Sequence, residues 1–348
     1  MKIDVLRKLL KSADREMLLK IVGELYKHIP KAQKEGEGGM DLIIRSIVLG
    51  EEPRKTAPSE PVPDYDDLED EISTFIANAE EGYYIAPNRV VPKAERPKWR
   101  FKVMGFVKSL SRFPREDRNY LPSIHWLKEL FLLLCQGCGT YIFRSDDPFR
   151  SIGIEQEKFF QLICDRYFVR GCPYDHEQLK ELIGCAVSTD VGMDCCHEDL
   201  VLVLINHFQK DDPHTSEMTK LAQEKFSSIR RNKLIKDRWE LARNLRCLSL
   251  LILGLEMLQH PALEAFENLW QFRTSQVPVK DANSATILFS DMLNHLGWLH
   301  VPDDVCVKLY ETFCEEKKIK PDLSSVDFYQ KKKAALAANP ATSAVAGD

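Results

Sequence analysis

Cys135-Gln136-Gly137-Cys138-Gly139 is the stretch of this chain whose residue types and spacing come nearest to a chemical site. Two thiolates at C-x-x-C spacing can converge on a metal, and glycine frees the amides around them, as in a zinc knuckle. A second pair of ligands is required, and Cys195, Cys196 and His197, or Cys172 with His176, are the residues available. Neither group repeats the C-x-x-C spacing. The competing reading places Cys135 and Cys138 at i and i+3 on the end of a buried helix, packing as small hydrophobes. The buried-helix reading is the one expected to hold, with a structural zinc at the Cys135/Cys138 pair kept as an alternative. A redox dithiol fits less well, because that motif opens a helix after a strand and here it closes one.

His197-Glu198-Asp199 and Asp211-Asp212-Pro213-His214 concentrate groups that bind metals or move protons. Both fall at expected helix ends, where acids favour the positive end of the helix dipole and Asp-Pro is turn chemistry. The chain has no Glu-x-x-His pair for a carboxylate-bridged metal bundle, no phosphate loop, no dinucleotide fingerprint, no nucleophile elbow and no H-E-x-x-H. No catalytic residue and no cofactor are therefore assigned.

Two stretches are basic although the net charge is −5. The first, 93–118, holds Arg96, Lys98, Arg100 and Lys102, with Trp99 and Phe101 between them; the second, 225–246, holds Arg230, Arg231 and Lys233. Cations alternating with aromatics suit a groove in which bases stack and phosphates are tracked. Alternatively these are solvated helix faces. They are also within reach of the chain's own acids, Glu60, Asp64, Asp66, Asp67, Glu69, Asp70 and Glu71.

The elements that must position these residues are helices. Leu127, Leu130, Phe131 and Leu134 repeat at i, i+3, i+4, i+7, with Ile124 a turn earlier, so the helix within 123–139 is expected at the buried centre. Pro122 and Ser123 suit its start, and Gly139 suits a left-handed residue just beyond its end. Trp99, Val103, Phe106, Val107 and Leu110 form the face of a neighbouring helix. Similar spacing predicts helices near 12–29, 40–49, 68–80, 154–169, 176–187, 196–209, 216–230, 233–258, 261–273, 284–296 and 303–317, with Gly297 as a stop signal. No strand is expected. The fold class is all-α, an irregular antiparallel helical array of bundle or solenoid type, without a repeat signature.

With 348 residues and 44% hydrophobic content the chain can bury a sizeable core. Four units are expected: a small helical unit at 1–50, an acidic proline-rich linker at 51–67, a main helical domain at 68–320, and a terminal helix with a fraying tail at 321–348. Residues 1–11 lack the apolar run of a secretory signal, which points to the cytoplasm and to reduced cysteines. No membrane association is expected.

Leu-Arg-Lys-Leu-Leu-Lys-Ser near the N-terminus, Tyr-Ile-Ala-Pro-Asn-Arg-Val-Val-Pro at 84–92 and Lys-Trp-Arg-Phe-Lys-Val at 98–103 resemble segments of uncharacterised bacterial all-helical proteins. The resemblance covers roughly the first half of the chain and implies no activity for any position. The functional expectation is a non-enzymatic helical interaction or scaffold protein that binds another protein. Nucleic-acid binding through 93–118 and 225–246 is the first alternative.

Overall fold

The computed structural model describes residues 13–28, 62–169, 175–210, 212–232 and 237–338. The chain divides into two compact units, Met1–Pro61 and Val62–Asp348. The helix expected at 40–49, the linker up to residue 61, Cys172, Lys233 and the last ten residues lie outside the described residues.

In the first unit, α1 (Arg15–His28) starts on Asp14, whose carboxylate accepts from Met17 N at 2.8 Å. None of its residues is buried, and Ile21, Val22 and Leu25 of its apolar face are exposed.

The second unit contributes thirteen helices and, among the described residues, no strand. They are α2 (Tyr65–Glu80), α3 (Trp99–Leu110), α4 (Tyr120–Gly139), α5 (Pro148–Ile152), α6 (Gln156–Tyr167), α7 (His176–Ser188), α8 (His197–Ile205), α9 (Pro213–Arg231), α10 (Arg238–Gln259), α11 (Ala262–Gln276), α12 (Ala282–Trp298), α13 (Asp303–Glu316) and α14 (Leu323–Ala338). The chain is thus all-α. Helices α2, α5, α7, α9, α10 and α12 each begin on an aspartate whose carboxylate accepts a backbone N–H of the first turn. Such a cap satisfies a donor that the helix itself cannot, typically worth about 1 kcal/mol. Asp64 and Asp212 are among these caps.

Packing passes along the chain. Helix α4 lies against α2, α3, α5 and α6; α6 lies against α8, and α8 against α7 and α10; α10 then packs on α9, α11 and α12, with α13 and α14 on the far side of α11 and α12. Leu127, Leu130, Phe131 and Leu134 of α4 are buried as expected, and Lys128 of the same helix reaches Glu181 of α7. A second central helix accompanies it: every residue of α10 from Cys247 to Glu256 is buried. Helix α4 begins three residues before Ser123, at Tyr120.

Two expected stop signals work otherwise than expected. Gly139 is the last residue inside α4 and Gly297 lies within α12; neither is left-handed, and among the described residues the left-handed ones are Gly82, Gly153, His300 and Lys318. His300 takes that role because α12 runs on to Trp298 before the chain turns. The described cysteines all carry free thiols. No helix of the described residues is long and apolar enough to cross a membrane.

Candidate functional site

The two cysteines of the C-x-x-C segment stand on the last turn of α4. Cys135 is buried, and its sulfur accepts from Gln156 Nε2 at 3.2 Å, while the Cys138 thiol donates to Leu134 O at 3.4 Å. On the chain entering α8, Cys195 donates to Cys196 O, and Cys196 donates both its thiol and its N–H to Asp199 Oδ2 at 2.8 Å. His197 Nε2 meets Thr189 O at 2.8 Å. Each of these five residues therefore has a partner of its own. Burial pushes the thiols of Cys138, Cys195 and Cys196 up to about 12, with Asp199 adding to the effect on the last two. Such thiols hold their protons at neutral pH, and a bound metal would have to displace them. Among the described residues no set of three or more His, Cys, Asp or Glu side chains is arranged to hold a metal ion.

The glycines of that segment serve close packing. A Cβ on Gly137 would stand 2.8 Å from Pro148 Cγ, and one on Gly139 would stand 2.3 Å from Asp190 Oδ2. These contacts let α5 and the segment 189–196 close over the end of α4. That segment is pinned by Gln156, which donates to Asp190 O and accepts from Gly192 N, and by buried Asp147, which accepts from Met193 N. Because Pro148 is buried and its ring cannot swing aside, Gly137→Ala forces the segment that carries α5 away from α4 and is expected to cost about 1–3 kcal/mol, the usual range for overpacking. Urea denaturation checks it; a change within about 0.3 kcal/mol, small even for a surface substitution, would show that the segment yields freely.

His197-Glu198-Asp199 opens α8, with Asp199 closing a capping box on Cys196. Glu198 does something the sequence did not reveal. It is buried, and its Oε1 lies 3.2 Å from Arg246 Nε of α10. Close by is His295 of α12, 1% exposed, with its Nε2 unpaired. Beyond it, Arg273 NH1 of α11 bonds Ser249 Oγ at 2.6 Å and Asp291 Oδ2 at 3.0 Å. Burial pushes His295 down to about 4, with Arg273 and Arg246 acting in the same direction against Asp291 and Glu198. The charges pair with each other across α8, α10, α11 and α12, so this polar seam ties helices together. Its sequence signals are Ser249 inside an apolar run and the Asp291/His295 pair one turn apart.

Of the first basic stretch, most is used internally. Arg96 donates to Asn88 O and Val91 O, Lys98 pairs with Glu95 at 2.8 Å, and Lys102 shares a groove between α2 and α3 with Asp70 and Glu71. Trp99 faces the core, stacked on Phe143 with ring centroids 4.1 Å apart. No base can reach it, because it is in phase with Val103, Phe106 and Leu110 on the buried side of α3. Arg100 lies over the ring of Phe101, which is 56% exposed.

The second stretch differs. Arg230 and Arg231 end α9 and Arg238 begins α10; none of the three has an ion pair among the described residues. Trp239, next in the chain, is 86% exposed. Helices α9 and α10 run antiparallel, since Ser216 and Thr219 near the start of α9 bond Gln259 at the end of α10. Trp239 thus stands at the same end of the array as Arg231. Phe226 of α9 packs edge-on to Phe272 of α11, and Ser227 donates to Gln276 Oε1 at 3.1 Å, so α11 closes this end too. Between α9 and α11 opens a groove of about 770 Å³, lined by Lys220, Glu224, Ser227, Arg231 and other polar residues of α9, with Phe272 beneath them. No family model, curated protein or solved structure matches the chain.

Proposed function

We propose that this chain is a non-enzymatic helical scaffold that binds another protein at the end of the array formed by α9, α10 and α11. One observation carries the reading: Trp239 is 86% exposed at the end of the array where Arg230, Arg231 and Arg238 have no ion pair among the described residues. Tryptophan and arginine are among the side chains most enriched at the energetic centres of protein interfaces. We also place the protein in the cytoplasm, the reducing compartment that its free thiols suit.

Site-specific photo-crosslinking in cells tests the reading. A photoreactive residue placed at Trp239 or at Arg231 is expected to give a discrete protein adduct, while the same group at Ile287, 60% exposed on α12, gives none. Adducts absent from both positions, or equally abundant at Ile287, would remove the function from this end of the array.

A further inference from the structure

We propose that the groove between α2 and α3 binds a small organic ammonium ion, an amine with a hydroxylated aromatic body. It lies on other helices than the protein-binding end of the array and stands independently of that reading. Each wall is one stripe of a helix: Glu71, Thr74 and Asn78 on α2, and Lys102, Gly105 and Ser109 on α3, recur three and four residues apart. Both helices pack on α4, and Phe75 and Phe106 meet edge to face between them with ring centroids 5.6 Å apart, which gives the groove an apolar floor. Its volume is about 700 Å³. Each stripe spans two turns, roughly 10 Å at 1.5 Å per residue. That is room for a ring and a short chain, and too short a wall for a docked helix.

Three features select the occupant. Tyr84, from the turn after α2, lines the groove while 3% exposed, with its ring 5.2 Å from that of Phe75. Its hydroxyl has no hydrogen-bond partner among the described residues, and burial pushes it up to about 12, so it keeps its proton and is free to pair with a ligand hydroxyl. Asp70 and Glu71 line the same groove and have no ion pair among the described residues. Lys102 is the one base among the lining residues, and it is shared with Glu95, which Lys98 and then Lys102 hold below its ordinary range. The carboxylates therefore favour a cation, and aromatic rings attract one as well. An anionic ligand would meet the two acids instead. The third feature is Gly105, which leaves the α3 wall without a side chain; a Cβ there would meet no atom within 4 Å, so the space beside it is open.

The test titrates the full-length protein by calorimetry at about 150 mM salt, where distant surface charges are screened. The probes are tyramine, phenethylamine, which lacks the hydroxyl, and para-hydroxyphenylpropionate, which carries a carboxylate in place of the ammonium. Tyramine is expected to bind saturably, severalfold more tightly than phenethylamine and at least tenfold more tightly than the anion. Asp70→Asn with Glu71→Gln should weaken tyramine at least fivefold, and Tyr84→Phe should lower its affinity to that of phenethylamine. Gly105→Leu puts a side chain into the groove and should abolish binding; leucine is the better helix former, so an undiminished melting temperature is expected with it. Binding of the anion as tight as that of tyramine, or no saturable binding of either amine, would overturn the proposal. Full tyramine affinity retained in Gly105→Leu or in Tyr84→Phe would do the same.

Discussion

Leu130→Ala is expected to lower the free energy of unfolding by about 2–5 kcal/mol, the cost of removing a buried leucine and leaving a cavity. Leu130 is fully buried on α4 between Leu127 and Leu134, and its neighbour Phe131 packs against Phe149, Phe159 and Phe160. Rings in mutual contact cannot easily shift into the vacated space, which favours the upper part of that range. Leu121→Ala on the same helix, at a residue 47% exposed, provides the control and should change stability by less than about 0.5 kcal/mol. Urea unfolding of the two variants decides the matter. A Leu130→Ala loss no larger than that of Leu121→Ala would take α4 out of the centre of the unit.

Why Leu130 could be placed from the sequence while other positions could not is a matter of distance along the chain. A helix face is written in residues three and four apart, so α3, α4, α6 and α7 are legible to within a few residues. Trp99 is legible in the same way, being in phase with Val103 and Phe106, and that phase rules out a base-stacking role. Helix α10 is harder. Its run from Leu248 to Leu255 is apolar on all sides apart from Ser249 and Gly254, so it is plainly buried, but only the packing shows it to be a second centre touching α8, α9, α11 and α12.

The candidate sites depend on segments that return from far along the chain. Gly137 and Gly139 look like the glycines of a metal knuckle until Pro148 and Asp190 are seen pressed against them. Trp239 looks like any aromatic beside an arginine; its exposure follows from standing before Asn244, the first buried residue of α10. Glu198 and His295 read as polar faces of amphipathic helices. Their burial is imposed by α10 and α11, whose arginines approach from neither residue's own helix.

That burial makes His295 an acid-sensitive point of the fold. Its folded-state value is about 4 against an ordinary 6.5, because an imidazolium there would lose its hydration with Nε2 unpaired. Asp291 on its own helix and Glu198 on α8 favour the cation, Arg273 on α11 and Arg246 on α10 oppose it, and burial dominates. Above pH 6.5 the ring is neutral in both folded and unfolded chains, and the depression has no effect. As the pH falls from 6.5 to 4 the unfolded chain takes up a proton that the folded one refuses, so stability declines across that window. A difference of this size corresponds to about 3 kcal/mol. His295→Phe removes both the titration and the unpaired nitrogen while filling a similar volume. Urea midpoints for the two proteins, measured between pH 7.5 and 4, are expected to start close together and then diverge, with the phenylalanine variant the more stable by about 3 kcal/mol at the acid end. Carboxylates such as Asp281 and Asp322, held below their ordinary values by hydrogen bonds from Ser284 and Ser325, lose stability at lower pH in both proteins and cancel in the difference. Curves that run parallel from pH 6.5 to 4 would show that the seam opens to water and that His295 titrates normally.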